Sequence, residues 1–84
     1  MKNLVTNLAN NQTVITDRET GAREFHSYTT KIAEVNSAGT TLSAKYWNHS
    51  ATTLKYLCKF LGVNGKKDIE AGIKNNSYLL TDQF

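Results

Sequence analysis

The apolar residues of this chain change period between Trp47 and Ser50. Before that point they alternate. Leu42, Ala44 and Tyr46 fall on one side of an extended segment, and Ser43, Lys45 and Trp47 on the other. After it they recur every three or four residues. At about 100° per residue, Leu54, Leu57, Cys58 and Leu61 share one helix face. Ala51, Thr53, Tyr56 and Phe60 widen that face, and only Thr52, Lys55 and Lys59 form the polar strip. The chain has no proline. Strands come first and helices second, and glycine, asparagine and aspartate must mark the turns.

The extended part reads as a meander. Thr13–Thr16 is β-branched throughout and predicts a short strand. Asp17–Gly21 is a turn. Ala22–Val35 predicts one long strand bent near His26-Ser27, with Tyr28, Thr30 and Ile32 on one face. Asn36–Gly39 is a second turn, and Thr40–Trp47 is the third strand. Ser77–Leu80 offers a fourth, at the sheet edge. Residues 1–10 fit either a strand or an amphipathic turn. The first helix is capped by Asn48 or Ser50, runs to Leu61 and stops at Gly62. A second runs from Gly65 or Lys66 to Lys74, with Asn64 as cap and Ile69, Gly72 and Ile73 as its apolar stripe. Gly72 weakens that helix, so a close backbone approach is the reason to expect it there. The expected fold is α+β: a three-stranded antiparallel sheet, four-stranded if the last segment joins, with two helices on one face. Residues 1–84 form one small domain.

With 84 residues the core is thin. No apolar run is long enough to cross a membrane as a helix, and residues 1–15 lack the pattern of a signal peptide. A single cysteine allows no internal disulfide and suits a reducing compartment. The net charge is +3, and its distribution is uneven. Residues 1–44 are balanced. Residues 45–74 hold Lys45, Lys55, Lys59, Lys66, Lys67 and Lys74 against Asp68 and Glu70. An excess on one half implies an acidic partner, or a solvated face.

Few residues suggest chemistry. Cys58 lies on the apolar helix face, where a thiol is a small core residue rather than an activated nucleophile. His49 stands at a helix start. His26 and Glu24 share a strand face and can pair. One cysteine and two scattered histidines do not make a metal site, and no glycine-rich phosphate loop occurs. The expectation is a non-enzyme without metal or cofactor. Lys45, Lys55, Lys59, Lys66 and Lys67, with Trp47 and Tyr56 nearby, could instead meet phosphates and stacked bases. Every cation of that segment is lysine, whereas base readout favours arginine.

The segments Ser27-Tyr28-Thr29-Thr30-Lys31-Ile32-Ala33 and Tyr46-Trp47-Asn48-His49-Ser50-Ala51-Thr52-Thr53-Leu54-Lys55-Tyr56-Leu57 resemble a family of small bacteriophage-encoded proteins. The resemblance spans roughly residues 25–61. It implies a small sheet with helices packed on it, a phage or prophage origin, and an accessory role in the bacterial cytoplasm. It carries no catalytic residues over. Phage accessory proteins of this size often act by binding a host protein, and some look like anti-CRISPR or other anti-defence inhibitors. The first functional expectation is therefore a protein-binding inhibitor of a host component, such as a CRISPR-Cas or other defence protein. Its expected contact residues are Lys45, Trp47, Lys55, Lys59, Lys66 and Lys67, with Arg23 and Lys31 on the sheet as a further surface. The alternative is a small nucleic-acid-binding regulator using the basic helical half.

Overall fold

The computed structural model describes residues 3–84. Eight elements follow one another: β1 (Asn3–Ala9), β2 (Gln12–Asp17), β3 (Arg23–Ser27), β4 (Thr30–Asn36), β5 (Gly39–Ser43), α1 (Ala51–Leu61), α2 (Lys66–Lys74) and β6 (Tyr78–Thr81). The fold is α+β, with one six-stranded sheet in the order β1-β2-β3-β4-β5-β6. The first five strands form an antiparallel meander. The chain then crosses through both helices, and β6 joins β5 in parallel. A parallel neighbour needs such a crossover, because no short turn can return the chain in the same direction.

The expected three or four antiparallel strands are thus six in a mixed sheet. The hairpin at Tyr28 and the strands at the two ends of the chain raise the count, and one strand also ends early. The segment 22–35 is not one bent strand but a tight hairpin, in which Ser27 pairs with Thr30 across Tyr28-Thr29. Tyr28 takes φ 57°, a left-handed conformation that a bulky residue seldom adopts, so no glycine marks the turn. Its N–H donates to the carbonyl of Asn11 at 2.6 Å, which ties this turn to the β1–β2 turn. The strand expected to reach Trp47 stops at Ser43, where the Trp47 N–H folds back onto the Ser43 carbonyl at 3.0 Å. The ambiguous first ten residues supply β1, and Ser77–Leu80 supplies most of β6.

Strand pairing sets one apolar row across the sheet. Val14, Phe25, Ala33 and Leu42 are successive partners, and all four are buried. A bulge between β3 and β4 adds one residue, Ile32, so Ile32 and Ala33 both bury although adjacent. The helices cover this face. Leu57, Cys58, Phe60 and Ile69 complete the core, with the Phe25 and Phe60 rings stacked at 5.7 Å. The opposite row, Ile15, Glu24, Glu34, Thr41 and Leu79, lies on the helix-free face.

The helix ends follow the sequence. The Ser50 hydroxyl accepts from the Thr53 N–H at 3.1 Å and caps α1. Gly62 takes φ 75°, and the N–H groups of Gly62 and Val63 both reach the Cys58 carbonyl, a Schellman-type stop. α2 starts after Gly65 without a side-chain cap, and Asp68 instead accepts the Asn64 N–H at 2.9 Å. Gly72 is buried against the Tyr78 ring. A β-carbon there would lie 2.5 Å from two ring carbons. Among the described residues no helix is long and apolar enough to cross a membrane.

Candidate functional site

The α1 sequence places Lys55 and Lys59 one turn apart on its polar strip. Next to them a groove of about 430 Å³ runs along α1 and the loop into α2. Ala51, Leu54, Cys58 and Val63 contribute apolar surface, and Lys55, Lys59 and Lys66 supply charge. Lys67 borders an adjoining shallow cavity with Asn64, Gly65, Lys66 and Asp68. The ammonium groups of Lys55 and Lys59 also flank the half-buried Tyr56 ring, at 5.4 and 5.2 Å from its centroid. Four of the six expected contact residues, Lys55, Lys59, Lys66 and Lys67, therefore line two adjoining depressions at one end of the helical layer.

The other two do not join them. Lys45 is exposed in the turn after β5, with its ammonium 5.3 Å from the Tyr46 ring. Trp47 corrects the expectation. It is only 8% exposed and belongs to the core, because the turn at residues 44–49 rolls the ring under the helices instead of leaving it on a strand face. The further sheet residues are also engaged. Arg23 lies over the Phe60 ring at 5.1 Å. Lys31 bonds Glu34, approaches Glu24 at 3.7 Å, and sits 4.4 Å from the Phe84 centroid.

Cys58 is buried at the base of the groove. Burial, with a smaller contribution from Asp68, raises its pKa, so the thiol stays protonated at neutral pH. That is the state of a core residue, not of a nucleophile. On the helix-free face, Glu24 and His26 pair at 3.0 Å as their shared strand face implies. The Lys31 hydrogen bond holds Glu34 below the usual carboxylate range against an opposing effect of burial, with help from the Lys31 charge and the Asn36 amide.

A second cavity, about 410 Å³, opens between the β3–β4 turn and the start of α1. Ser27, Thr30, Ser50, Thr52 and Thr53 give it hydroxyl groups, and Tyr28, Tyr46 and His49 give it rings. Ser50 donates to the Thr53 hydroxyl at 3.0 Å, and Thr53 shares a 3.0 Å hydrogen bond with Ser27. The sequence assigns Ser50 to capping, Thr52 and Thr53 to helix faces, and Tyr28 and Thr30 to a strand face, and predicts no site here. The one available signal was the hydroxyl-rich Ser50-Ala51-Thr52-Thr53, and its meeting with Ser27 requires the hairpin at Tyr28. No group of three or more potential metal ligands occurs among the described residues.

A model for a family of unknown function, DUF8033, matches residues 1–76. The chain belongs to that family. The match runs from β1 through α2 and ends before β6. It therefore includes both cavities and every lysine of the groove. No curated protein and no solved structure matches the chain significantly.

Proposed function

We propose that this protein works by binding, and that an acidic, partly apolar protein surface occupies the lysine-rimmed groove. The observation that carries the proposal is the juxtaposition of Lys55, Lys59 and Lys66 with Ala51, Leu54, Cys58 and Val63 in one depression. Lysine stems cover apolar surface while their charges stay in water, so the groove suits a partner segment with carboxylates around an apolar anchor. The resemblance of residues 25–61 to small bacteriophage proteins gives the biological form of the proposal. The partner is a host protein, and the protein is an accessory inhibitor of anti-CRISPR or other anti-defence type. Blockade needs no chemistry, only a rigid surface of about 800 Å².

Nucleic acid fits the same lysines less well. A stacking platform is part of sequence-tolerant strand binding, but Trp47 is in the core and Tyr56 is half-buried between two ammonium groups. What favours this reading is the continuation of the lysines from the groove to Lys67.

Capture from bacterial lysate with the intact chain and with Lys55→Glu/Lys59→Glu tests the proposal. The expected result is a stoichiometric protein partner that the double reversal loses at least tenfold. Equal retention by both forms refutes the groove, and recovery of no stoichiometric protein refutes the inhibitor. If the captured species is nucleic acid, affinity falls steeply with added salt, and the alternative stands.

A further inference from the structure

We propose that the protein self-associates through β1, pairing antiparallel with β1 of a second copy to form one continuous sheet across a two-fold axis. β1 is an edge strand, because it pairs only with β2. An edge presents a row of unpaired backbone donors and acceptors to anything that fits it. Proteins blunt such edges with charges, prolines, short strands or bulges. β1 has seven residues, Asn3–Ala9 contains no charged residue and no proline, and its one bulge lies beyond Asn7, past the regular stretch Asn3–Asn7. It also leaves Leu4 50% and Val5 61% exposed. The other edge, β6, has only four residues.

The occupant follows from the register. A two-fold axis perpendicular to the sheet opposes residues of the same face, so its centre must fall on a residue and not between two. Pairing with β2 is regular from Asn3 to Asn7 and slips between Asn7 and Ala9. The regular segment is therefore five residues long, and its centre is Val5. Val5 then faces Val5 of the other copy, and Leu4 faces Thr6. Apolar and β-branched residues suit directly opposed positions. Neither strand brings a charge, so a neutral edge meets a neutral edge. The contact closes at two copies, because each molecule uses its single β1. One strand pair is a small interface, so the dimer belongs to the weak, concentration-dependent class.

Sedimentation velocity on the full chain, from micromolar to millimolar concentration, tests the proposal. The expected result is a reversible shift from one copy to two, with no larger species. Val5→Lys sets two like charges opposite each other and leaves a monomer throughout, with an unchanged circular dichroism spectrum. In a Cys58→Ala background, Val5→Cys crosslinks on mild oxidation, because opposed residues have Cα atoms about 4.5–5.5 Å apart, within disulfide reach. Leu79→Cys, at 55% exposure on the opposite edge, serves as the control and stays monomeric. A monomer at every concentration overturns the proposal. So does a dimer that survives Val5→Lys, an assembly that grows past two, or equal crosslinking through Leu79→Cys.

Discussion

Replacing Gly72 by alanine should destabilise this protein, although alanine is the better helix former. Gly72 lies inside α2, where the exchange alone gains about 1 kcal/mol. Against that gain stands the ring of Tyr78. A β-carbon at position 72 would lie 2.5 Å from Cδ2 and Cε2 and 3.2 Å from Cγ. The contact includes the root of the ring, so rotating its tip away does not relieve it. Tyr78 is the first residue of β6 and pairs with Thr40 on β5, which holds its backbone. Overpacking of this kind costs about 1–3 kcal/mol. The net effect of Gly72→Ala is then a loss of about 0–2 kcal/mol, up to roughly 16 °C in melting temperature for a domain of this size. The sign should reverse when the obstacle is removed. In a Tyr78→Ala background, Gly72→Ala keeps only its helical gain and stabilises by about 1 kcal/mol. Urea unfolding of the four proteins in a double-mutant cycle measures the coupling, expected at about 1–3 kcal/mol. A coupling near zero, or stabilisation by Gly72→Ala in the native background, refutes the close-approach argument.

Other outcomes follow from the same physical reasoning. Thr53→Val keeps the shape of a buried residue but removes the hydroxyl shared with Ser27 and Ser50, and should cost about 1–3 kcal/mol in urea unfolding. Adding Ser27→Ala to it should cost little more, since the orphaned buried hydroxyl is then gone; full additivity of the two losses argues against the hydroxyl chain. Glu34 titrates below its ordinary value of 4.5 in the folded state, so its contribution is present above that pH and lost as pH falls through the lowered folded value. Glu34→Gln should therefore flatten the acid limb of the stability profile below pH 4.5 and leave its slope near neutrality unchanged. An unchanged acid limb contradicts that assignment.

The elements that could be read from the sequence are those whose signals are local. α1 has its cap at Ser50, its apolar face and its stop at Gly62 within thirteen residues of chain, and the structure begins and ends it where those residues stand. The β2 and β5 segments show β-branched content after or between turn residues, and Gly72 announced a close approach by being the wrong residue for a helix. The Tyr28 turn gave no such notice. Its positive φ is held by a hydrogen bond to Asn11, a residue far enough along the chain that no local pattern records it. One missed turn then changed the strand count and hid the polar cavity, because Ser27 reaches Thr53 only when β3 ends there.

The candidate sites divide in the same way. Lys55 and Lys59 were legible because a helix face follows from spacing alone. Their union with Lys66 depends on how the chain leaves α1 at Gly62, a cap that sequence does predict. Trp47 was misplaced because alternation was carried four residues beyond Ser43. Period two has no internal stop signal without proline or glycine, and none stands between Ser43 and Trp47. The ring turned inward because a small sheet with one covered face needs large apolar side chains from wherever the chain can supply them, and Trp47 is the largest available. The same need leaves the two sides of the molecule unequal. Burying tryptophan, both core phenylalanines and Leu57 on one face concentrates apolar surface under the helices. The outward strip of α1 is left to lysine, and the cations on that side of the fold keep few carboxylate neighbours, whereas Lys31 on the opposite face is bound by Glu34 and Glu24. Among the described residues no ion pair engages Lys55, Lys59 or Lys66, whereas Lys31 on the open sheet is paired, so for the acidic partner proposed above the groove is the surface to mutate first.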